Sequence, residues 1–311
     1  MRISTFDIGG TYIKHGIMEE GILTTLPSFP TEANLGVKHL VKRLGALIAE
    51  ETAERPLSAV AISTRGQVDT MSGTILYDPP TVFPDYTGAP LRDLLKQELQ
   101  AYDLKQLSNI PIIIENDANC MGLAEVAMGG AKNFPTCLCV VIGTGIGGVL
   151  IENGSVYHGS NYSAGEFGMM YLPNKQGGFT FFEDYAAVPA LLQLANEEMA
   201  LQGGAILTDG NQITQELEKE NPVILQVAKE WARRVAMGLA SLIHIFNPPC
   251  LILGGGIMEN KTLFYYVCKE TSSLLAPGFE SIHITVASLG NQAGMLGAAY
   301  LAEQTLSQEE K

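Results

Sequence analysis

Asp117 is the residue of this sequence best suited by its position to take a proton from a bound hydroxyl group. It follows the apolar run Ile112–Ile114 within Glu115-Asn116-Asp117-Ala118-Asn119, a pattern that predicts a strand leading directly into a helix. Phosphoryl transfer to an alcohol requires an acceptor for the hydroxyl proton, and a carboxylate held rigidly at such a junction can serve. Taken alone, the pattern favours a helix cap, a role that Asn116 could also fill.

Two glycine-rich turns in the sequence could bind phosphate. They are Phe6-Asp7-Ile8-Gly9-Gly10-Thr11 and Gly143-Thr144-Gly145-Ile146-Gly147-Gly148. Glycine has no Cβ to keep backbone N–H groups away from a phosphate oxygen. Asp7 could also hold Mg²⁺ directly or through water, and Thr11 could donate to a phosphate. A Gly-Gly hairpin is more often only a turn, so the pair of motifs matters more than either one.

A third glycine cluster, Leu253-Gly254-Gly255-Gly256-Ile257, ends one predicted strand and precedes a helix. A flat adenine or ribose could approach the backbone there, and a loop that needs positive φ explains the glycines equally well. No cluster is a Walker A loop, and the segment after Gly148 predicts a strand where a dinucleotide fingerprint requires a helix. These features argue against a dehydrogenase.

Two carboxylates stand beside aromatic and small residues, in Gly165-Glu166-Phe167-Gly168 and Phe182-Glu183-Asp184-Tyr185. A carboxylate can hydrogen-bond to two neighbouring hydroxyl groups while an aromatic side chain packs on the ring, which is how proteins hold sugars. Solvated surface carboxylates are the simpler alternative.

The apolar patterns predict alternating strands and helices around these motifs. Predicted strands cover 3–8, 12–18, 21–26, 59–62, 112–114, 250–253 and 283–287, and predicted helices cover about 40–48, 118–128, 184–200, 222–245, 260–275 and 292–304. The strand, glycine turn and strand of Cys137–Ile151 repeat the order of the opening segment. This repetition predicts a second lobe related to the first.

Length and composition limit the class of protein. A chain of 311 residues exceeds one compact core, so two lobes with a cleft between them are expected. Hydrophobic residues make up 46% and charged residues 17%, without a long apolar run or a basic leader, which predicts a soluble cytoplasmic protein. A net charge of −14 disfavours nucleic acid and anionic membranes as partners, and five scattered cysteines predict reduced thiols.

In their order and combination, the five motifs around Asp7, Asp117, Gly143, Glu166 and Gly254 resemble those of the ROK family of sugar kinases. The resemblance covers nearly the whole chain. It implies the two-lobed, ribonuclease H-like α/β fold of actin-like ATPases, in which each lobe is a mixed sheet with flanking helices. It also implies a small lobe formed by 1–115 plus about 295–311, and a large lobe formed by 116–294.

The resemblance further implies the role of each site residue. Asp117 would be the catalytic base for transfer from ATP, usually to the 6-hydroxyl of a hexose, with Mg²⁺ accompanying the nucleotide. The sugar would be held by Asn116, Glu166, Glu183 and Gly66. The phosphates and nucleotide would lie between the lobes against Asp7, Gly9, Gly10, Thr11, Gly143, Thr144, Gly145, Gly254, Gly255 and Gly256. A homodimer is also implied.

Three positions depart from the family pattern. Met169 replaces the histidine of the usual structural zinc site, and 170–182 contain no cysteine, so no zinc is predicted. Arg65-Gly66 stands where Pro-Gly is usual, and this arginine could touch a sugar substituent or pair with an acid. The Asn-Leu that commonly contacts sugar is not recognisable in Thr81-Val82-Phe83-Pro84-Asp85-Tyr86.

Several related functions remain open at this stage. The zinc-free pattern, with Asn291-Gln292-Ala293-Gly294, is most similar to β-glucoside kinases and related glucokinases, and N-acetylmannosamine kinases are the close rival. A ROK transcriptional repressor would carry an additional basic helix-turn-helix, whereas the first strand here is predicted from Ile3. A sugar sensor without catalysis is disfavoured by the retention of Asp7, Asp117 and all three glycine clusters.

Overall fold

The structure is a computed structural model, which describes residues 1–79, 82–102, 104–107, 109–174 and 177–309. The chain forms two compact units. The first consists of Met1–Met128, His158–Ala164 and the chain from Leu289 onward, and the second consists of Gly129–Tyr157 and Gly165–Ser288. No helix of the described ranges combines the length and apolar character needed to cross a membrane.

The first unit is built on a sheet with helices on both faces. The strands of this unit are β1 (Arg2–Ile8), β2 (Tyr12–Glu19), β3 (Ile22–Pro30), β4 (Ala59–Thr64), β5 (Gln67–Asp69), β6 (Thr74–Tyr77) and β7 (Ile112–Asn116). Of these, β5 and β6 pair only with each other. Its first helices are α1 (Gly36–Glu54), α2 (Leu91–Gln100) and α3 (Asp117–Met128).

The second unit is built on the other five-stranded sheet and also contains a separate pair of strands, Tyr171–Pro173 and Phe179–Phe181. Its strands are β8 (Cys137–Ile142), β9 (Ile146–Glu152), β10 (Ser155–Val156), β11 (Tyr171–Pro173), β12 (Phe179–Phe181), β13 (Cys250–Gly254) and β14 (His283–Val286). Its helices are α4 (Phe182–Ala186), α5 (Val188–Leu201), α6 (Gly210–Glu218), α7 (Pro222–Phe246) and α8 (Lys261–Leu274), after which α9 (Ala293–Glu309) belongs to the first unit.

The strand order places the chemical motifs at the carboxyl ends of the parallel strands in the two main sheets. In the first unit the order is β3-β2-β1-β4-β7, with β1, β4 and β7 parallel. In the second unit the order is β10-β9-β8-β13-β14, with β8, β13 and β14 parallel. Because carboxyl ends of adjacent parallel strands lie together, residues that follow these strands become neighbours within each unit.

The two faces of the first sheet have different cores. Phe6, Ile62 and Ile114 belong to a cluster of large apolar side chains that includes α1 and α2. Ala59 and Ala61, on the alternate positions of β4, belong to a cluster that consists mostly of small residues and is shared with α3 and α9. Small side chains allow these helices to approach the sheet closely. The second core surrounds α7, with Trp231 fully buried.

The predicted helix over 184–200 is divided in the structure. Helix α4 ends at Ala186, Ala187 is extended with φ −71° and ψ 173°, and α5 begins at Val188. Pro189 lies in the first turn of α5. Proline suits that position because it lacks the N–H that a helix interior needs, but it cannot continue the preceding helix.

The compact units also differ from the predicted domain boundaries. The first unit continues through α3 to Met128, where a boundary at 115/116 was expected, and it resumes at Leu289 where about 295 was expected. The reason is that α3 packs with α9 and the first sheet around Cys120 and Ala124. Asn116 and Asp117 therefore belong to the first unit. Residues 310 and 311 of the predicted small lobe lie outside the described residues.

Candidate active site

The carboxyl ends of β1, β4 and β7 bring the predicted base and the first phosphate motif to one edge of the first sheet. Ile8 pairs with Thr64, and Thr64 pairs with Asn116. Asp7, next to Ile8, accepts a hydrogen bond from Ser63 Oγ at 2.8 Å and forms an ion pair with Lys14 Nζ at 2.9 Å. Its carboxylate is therefore fixed from two neighbouring strands.

The side chain of Asn116 makes three hydrogen bonds with the backbone. Its Nδ2 donates to the carbonyl oxygen of Gly66 at 2.9 Å. Its Oδ1 accepts from the backbone N–H groups of Ala118 at 2.9 Å and Asn119 at 3.2 Å, and so caps α3. Asp117 Oδ1 also accepts from Ala118 N–H at 2.8 Å. Since Asn116 already supplies the cap, the carboxylate of Asp117 is available for chemistry.

The surroundings of Asp117 favour a proton acceptor that works near neutral pH. The residue is exposed to solvent, yet the protein atoms around its carboxyl group remove part of the hydration. This desolvation and the negative charge of Asp7 raise the pKa of Asp117 to about 6. The N–H of Ala118 and the positive charge of Arg65 act in the opposite direction. A base with such a pKa is ionised at neutral pH and can still hold a proton.

Glu115 is a buried acid that accepts hydrogen bonds at the junction of β7 and α3. Its side chain is 1% exposed, and Oε1 accepts from Asn116 N–H at 2.7 Å and from Asn119 Nδ2 at 2.8 Å. Its Oε2 lies 2.7 Å from Nε2 of His158. The segment His158–Ala164 belongs to the first unit, although it lies between two parts of the second unit in sequence.

Arg65 directly follows β4, between the first glycine turn and Asp117. Its Nε donates to Asp78 Oδ1 at 2.6 Å, and Asp78 is buried. The pairing with an acid that the sequence allowed is thus present. A Cβ added to Gly10 would lie 3.0 Å from Arg65 Nη1, so the guanidinium group rests against the glycine turn.

The first glycine turn is closed by backbone and side-chain contacts. Gly9 N–H donates to Tyr12 O at 3.1 Å, and Thr31 Oγ1 donates to Gly9 O at 2.7 Å. Thr11 is exposed, with its carbonyl oxygen accepting from Thr31 N–H at 2.8 Å. Hydrogen bonds therefore hold the backbone of the turn, and Thr11 is accessible to solvent.

The second unit brings the other two glycine clusters together. Gly254, at the end of β13, pairs with Val141 of β8. Gly255 has φ +96°, and a Cβ there would collide with the carbonyl oxygen of Ile142. Gly143 N–H donates to Gly145 O at 2.9 Å, which tightens the turn containing Thr144. Only glycine fits at 255, while a Cβ at Gly256 would meet no atom within 4 Å.

Both predicted sugar carboxylates lie close to that turn. Glu183 Oε2 accepts from Ile146 N–H at 3.3 Å. A Cβ at Gly145 would lie 2.8 Å from this oxygen, and one at Gly168 would lie 2.9 Å from it. Partial burial and the charge of Glu183 raise the pKa of Glu166. The charges of the two carboxylates therefore interact.

Asp7 is the carboxylate to which the magnesium prediction applies, and its two oxygens contact Lys14 and Ser63 in the structure. Mg²⁺ is usually held by one or two carboxylates together with substrate phosphates, and the carboxylates of Asp7 and Asp117 interact electrostatically. Within the described ranges, no group of three or more His, Cys, Asp or Glu is arranged to hold a metal ion by itself. Met169, at the position of the usual zinc histidine, is 57% exposed.

Several contacting residues were not predicted from the sequence. Four residues from separate segments contact Asp7, Arg65 or Glu115 in the first unit: Lys14, Ser63, Asp78 and His158. Glu115 was also missed, but the sequence contained a signal for it, because it is an acid at the end of an apolar strand. Thr81, in the segment where the family's sugar contact was not recognised, lies outside the described residues, as do residues 175 and 176 within 170–182.

The chain belongs to the ROK family, whose model matches residues 3–305. It is 29% identical over 306 residues to a β-glucoside kinase of Listeria innocua, covering 96% of this chain and 97% of that one. It is 27% identical to a ROK glucokinase of Streptomyces griseus crystallised with glucose and AMPPNP, with a TM-score of 0.77 over 98% of this chain and all of that one. A putative N-acetylmannosamine kinase of Listeria monocytogenes is 28% identical, with a TM-score of 0.78 and the same coverage.

These similarities confirm the predicted family and fold class, the two-lobed α/β fold of actin-like ATPases. The β-glucoside kinase of Listeria innocua, a glucokinase of Streptomyces coelicolor and the glucokinase of Streptomyces griseus, all sugar kinases by name, match this chain over almost their full lengths. The chain is accordingly an ATP-dependent sugar kinase of the ROK family.

Proposed function

We propose that the protein phosphorylates the 6-hydroxyl group of a hexose or β-glucoside, with Asp117 as the general base. The observation that carries this proposal is the position of Asp117 at the junction of β7 and α3, next to Asp7, with a pKa raised to about 6. The likeness to a β-glucoside kinase and to a glucokinase crystallised with glucose supports this acceptor class.

In the proposed reaction, Asp117 accepts the proton of the sugar hydroxyl as that oxygen attacks the γ-phosphorus of ATP. The bond between the γ-phosphorus and the β,γ-bridging oxygen breaks, and ADP leaves. Asn116, Gly66, Glu166 and Glu183 bind and orient the sugar. Orientation of this kind contributes because the reacting oxygen must lie in line with the leaving group.

The phosphate groups of ATP are assigned to the glycine turns and to Thr11 and Thr144. Gly254, Gly255 and Gly256 are assigned to the rest of the nucleotide. Asp7 would hold Mg²⁺ directly or through water, and the ion would neutralise charge on the phosphates. A cytoplasmic location and a homodimer remain predictions.

N-acetylmannosamine is the second candidate acceptor. The likeness to the putative N-acetylmannosamine kinase of Listeria monocytogenes, 28% identical, favours it. Both acceptors would use the same base, so the difference lies in the groups that surround the sugar substituents.

The test is ATP consumption, followed by ADP production, with glucose, cellobiose, gentiobiose, N-acetylmannosamine, N-acetylglucosamine, mannose and fructose. Asp117→Asn should reduce kcat by about 100-fold or more. Asp93→Asn, an exposed carboxylate in the first turn of α2, is the matched control and should retain activity. The best sugar decides between the two acceptors. Binding of a sugar without turnover by the wild-type protein would refute the kinase proposal and favour a sensor.

A further inference from the structure

Arg65 lies between the first glycine turn and Asp117, at the carboxyl ends of β1, β4 and β7. It follows β4, which lies between β1 with its phosphate turn and β7 with the proposed base. Ile8, Thr64 and Asn116 are aligned across these strands. A long side chain on the residue after Thr64 can therefore reach both motifs.

The side chain is fixed in this position by a buried acid. Arg65 Nε donates to Asp78 Oδ1 at 2.6 Å, with side-chain exposures of 24% for Arg65 and 1% for Asp78. This contact uses the Nε side of the guanidinium group. Nη1 lies against Gly10, where an added Cβ would be 3.0 Å away. The group thus has donors directed to Asp78 and others beside the phosphate turn.

The negative charges at the carboxyl ends of β1, β4 and β7 favour a cation at the position of Arg65. Asp7 and Asp117 are both carboxylates, and Lys14 is already paired with Asp7 at 2.9 Å. A nucleotide adds further negative charge, which increases on the phosphoryl oxygens and leaving group during transfer. The field of Arg65 reaches Asp117, since it acts to lower the pKa of that carboxyl group.

We propose that Arg65 is a further catalytic residue, whose guanidinium group donates to the phosphoryl group while it passes from ATP to the sugar hydroxyl. Asp78 is its positioning residue. This inference rests on the proposed function. The reaction keeps the same balance: the γ-phosphorus loses its bond to the bridging oxygen, gains one to the sugar oxygen, and Asp117 takes the proton. Arg65 remains protonated throughout.

The expected kinetic effect separates this role from a sugar contact. A donor that acts mainly on the transferring group lowers kcat, whereas a donor to a ground-state sugar substituent raises KM for the sugar. Arg65→Gln should reduce kcat by about 100-fold or more while KM for the best sugar changes by less than about threefold. Arg65→Lys should recover only part of the loss, because an ammonium group lacks the planar fork.

The experiment compares Arg65→Gln, Arg65→Lys and Asp78→Asn with Arg43→Gln, which removes an arginine paired with Glu32 at the protein surface. Inhibition by ADP with fluoroaluminate, which resembles the transferring phosphoryl group, is measured beside inhibition by ADP alone. The affinity of the Arg65→Gln variant for ADP with fluoroaluminate should fall about 100-fold, while its affinity for ADP alone should stay within about threefold of the wild-type value. Arg43→Gln should change neither.

A third readout is the pH dependence of kcat/KM. Because the charge of Arg65 opposes the rise in the pKa of Asp117, its removal should move the acidic limb to higher pH. If Arg65→Gln does not fold because Asp78 is left buried and charged, the double variant Arg65→Gln/Asp78→Asn removes both charges and gives the same comparison.

Two results would overturn the inference while the wild-type protein remains an active kinase. One is an unchanged kcat with a raised KM for the sugar, which would make Arg65 a specificity residue. The other is unchanged kinetics and unchanged fluoroaluminate inhibition, which would leave a structural ion pair. Absence of kinase activity in the wild-type protein would instead refute the proposed function.

Discussion

Nε2 of His158 lies 2.7 Å from Oε2 of Glu115, a residue 43 positions earlier in the sequence. The same glutamate accepts hydrogen bonds from Asn116 N–H and Asn119 Nδ2. One buried carboxylate therefore joins the segment His158–Ala164 to the junction that carries Asp117. This relationship makes Glu115 a candidate positioning residue for the proposed base.

Replacement of Glu115 by methionine should reduce both stability and activity. The change keeps a similar volume and leaves the Asn116 N–H and the Asn119 amide without their acceptor, which should cost about 1–3 kcal/mol in the free energy of unfolding. A small displacement of Asp117 should lower kcat by about tenfold or more. Denaturant titration and steady-state kinetics measure the two effects.

Glu54→Met, at the exposed carboxyl end of α1, is the control for loss of a glutamate. It should leave both quantities nearly unchanged. A Glu115→Met variant with lower stability and full kcat at a temperature where it is folded would show that Glu115 only stabilises the protein.

Activity should fall in acid with an apparent pKa of about 6. The folded-state pKa of Asp117 is raised to about 6 by desolvation and by Asp7, and a base must be unprotonated to act. The value of kcat/KM should therefore rise with pH through about 6 and then level. Measurement over a pH range with a neutral sugar tests this limb, and Trp231 fluorescence verifies that the protein remains folded.

The raised pKa of Asp117 should make the free energy of unfolding fall with rising pH, whereas activity rises. Because the pKa of Asp117 is higher in the folded protein than its ordinary value, the fold favours the protonated form. The resulting stabilisation is fully present below the unfolded-state pKa and is lost as pH rises through about 6. Asp117→Asn cannot ionise, so its stability should lack this part of the decline. Parallel pH dependence in both proteins would contradict the assignment.

Gly294 should be needed for activity because it leaves room for Asp7. A Cβ at this position of α9 would lie 2.7 Å from Asp7 Cγ and 2.8 Å from Ser63 Oγ. Gly294→Ala should displace the Asp7 carboxylate and lower kcat by about tenfold or more. The experiment combines kinetics with thermal unfolding.

Gly45→Ala provides the helix control for that variant. Its added Cβ would meet Glu98 Cγ at 2.6 Å, but Glu98 is a flexible side chain that can move away. Alanine also has the higher helix propensity, by about 1 kcal/mol. Gly45→Ala should retain activity and stability, and full activity of Gly294→Ala would show that Asp7 tolerates displacement.

The sequence was most informative where one segment carries both the element and its chemical group. β4 and β7 were predicted from short apolar runs, and Asn116 and Asp117 were placed at the start of a helix from their local pattern. The glycine turns were likewise predictable, because a missing Cβ is a local property. Gly255, at φ +96° against Ile142 O, shows the reason for one of them.

Contacts between distant segments could not be predicted in this way. Asp78 is one of several acids in its half of the chain, and only the fold buries it against Arg65. His158 had no local feature that would connect it with Glu115. The break between α4 and α5 was signalled by Pro189, but an apolar helical pattern on both sides concealed it. Tertiary structure decides the first two cases, whereas Pro189 decides the third locally.

Glu183→Gln should weaken sugar binding in the second unit more than it affects the chemical step. Glu183 Oε2 accepts from Ile146 N–H at 3.3 Å and lies beside Gly145 and Gly168. Loss of its charge removes one of the causes that raise the pKa of Glu166, so that pKa should fall. It also replaces a carboxylate that can accept from two hydroxyl groups by an amide with one acceptor oxygen.

We expect KM for the best sugar to rise by about tenfold or more in Glu183→Gln, with a smaller change in kcat, because a charged hydrogen bond contributes about 1.5–3 kcal/mol. Glu166→Gln should behave similarly. Asp184→Asn, the adjacent exposed carboxylate in the same helix turn, should keep the wild-type KM. Equal KM values for Glu183→Gln and Asp184→Asn would mean that Glu183 shapes the glycine turn without contacting the sugar.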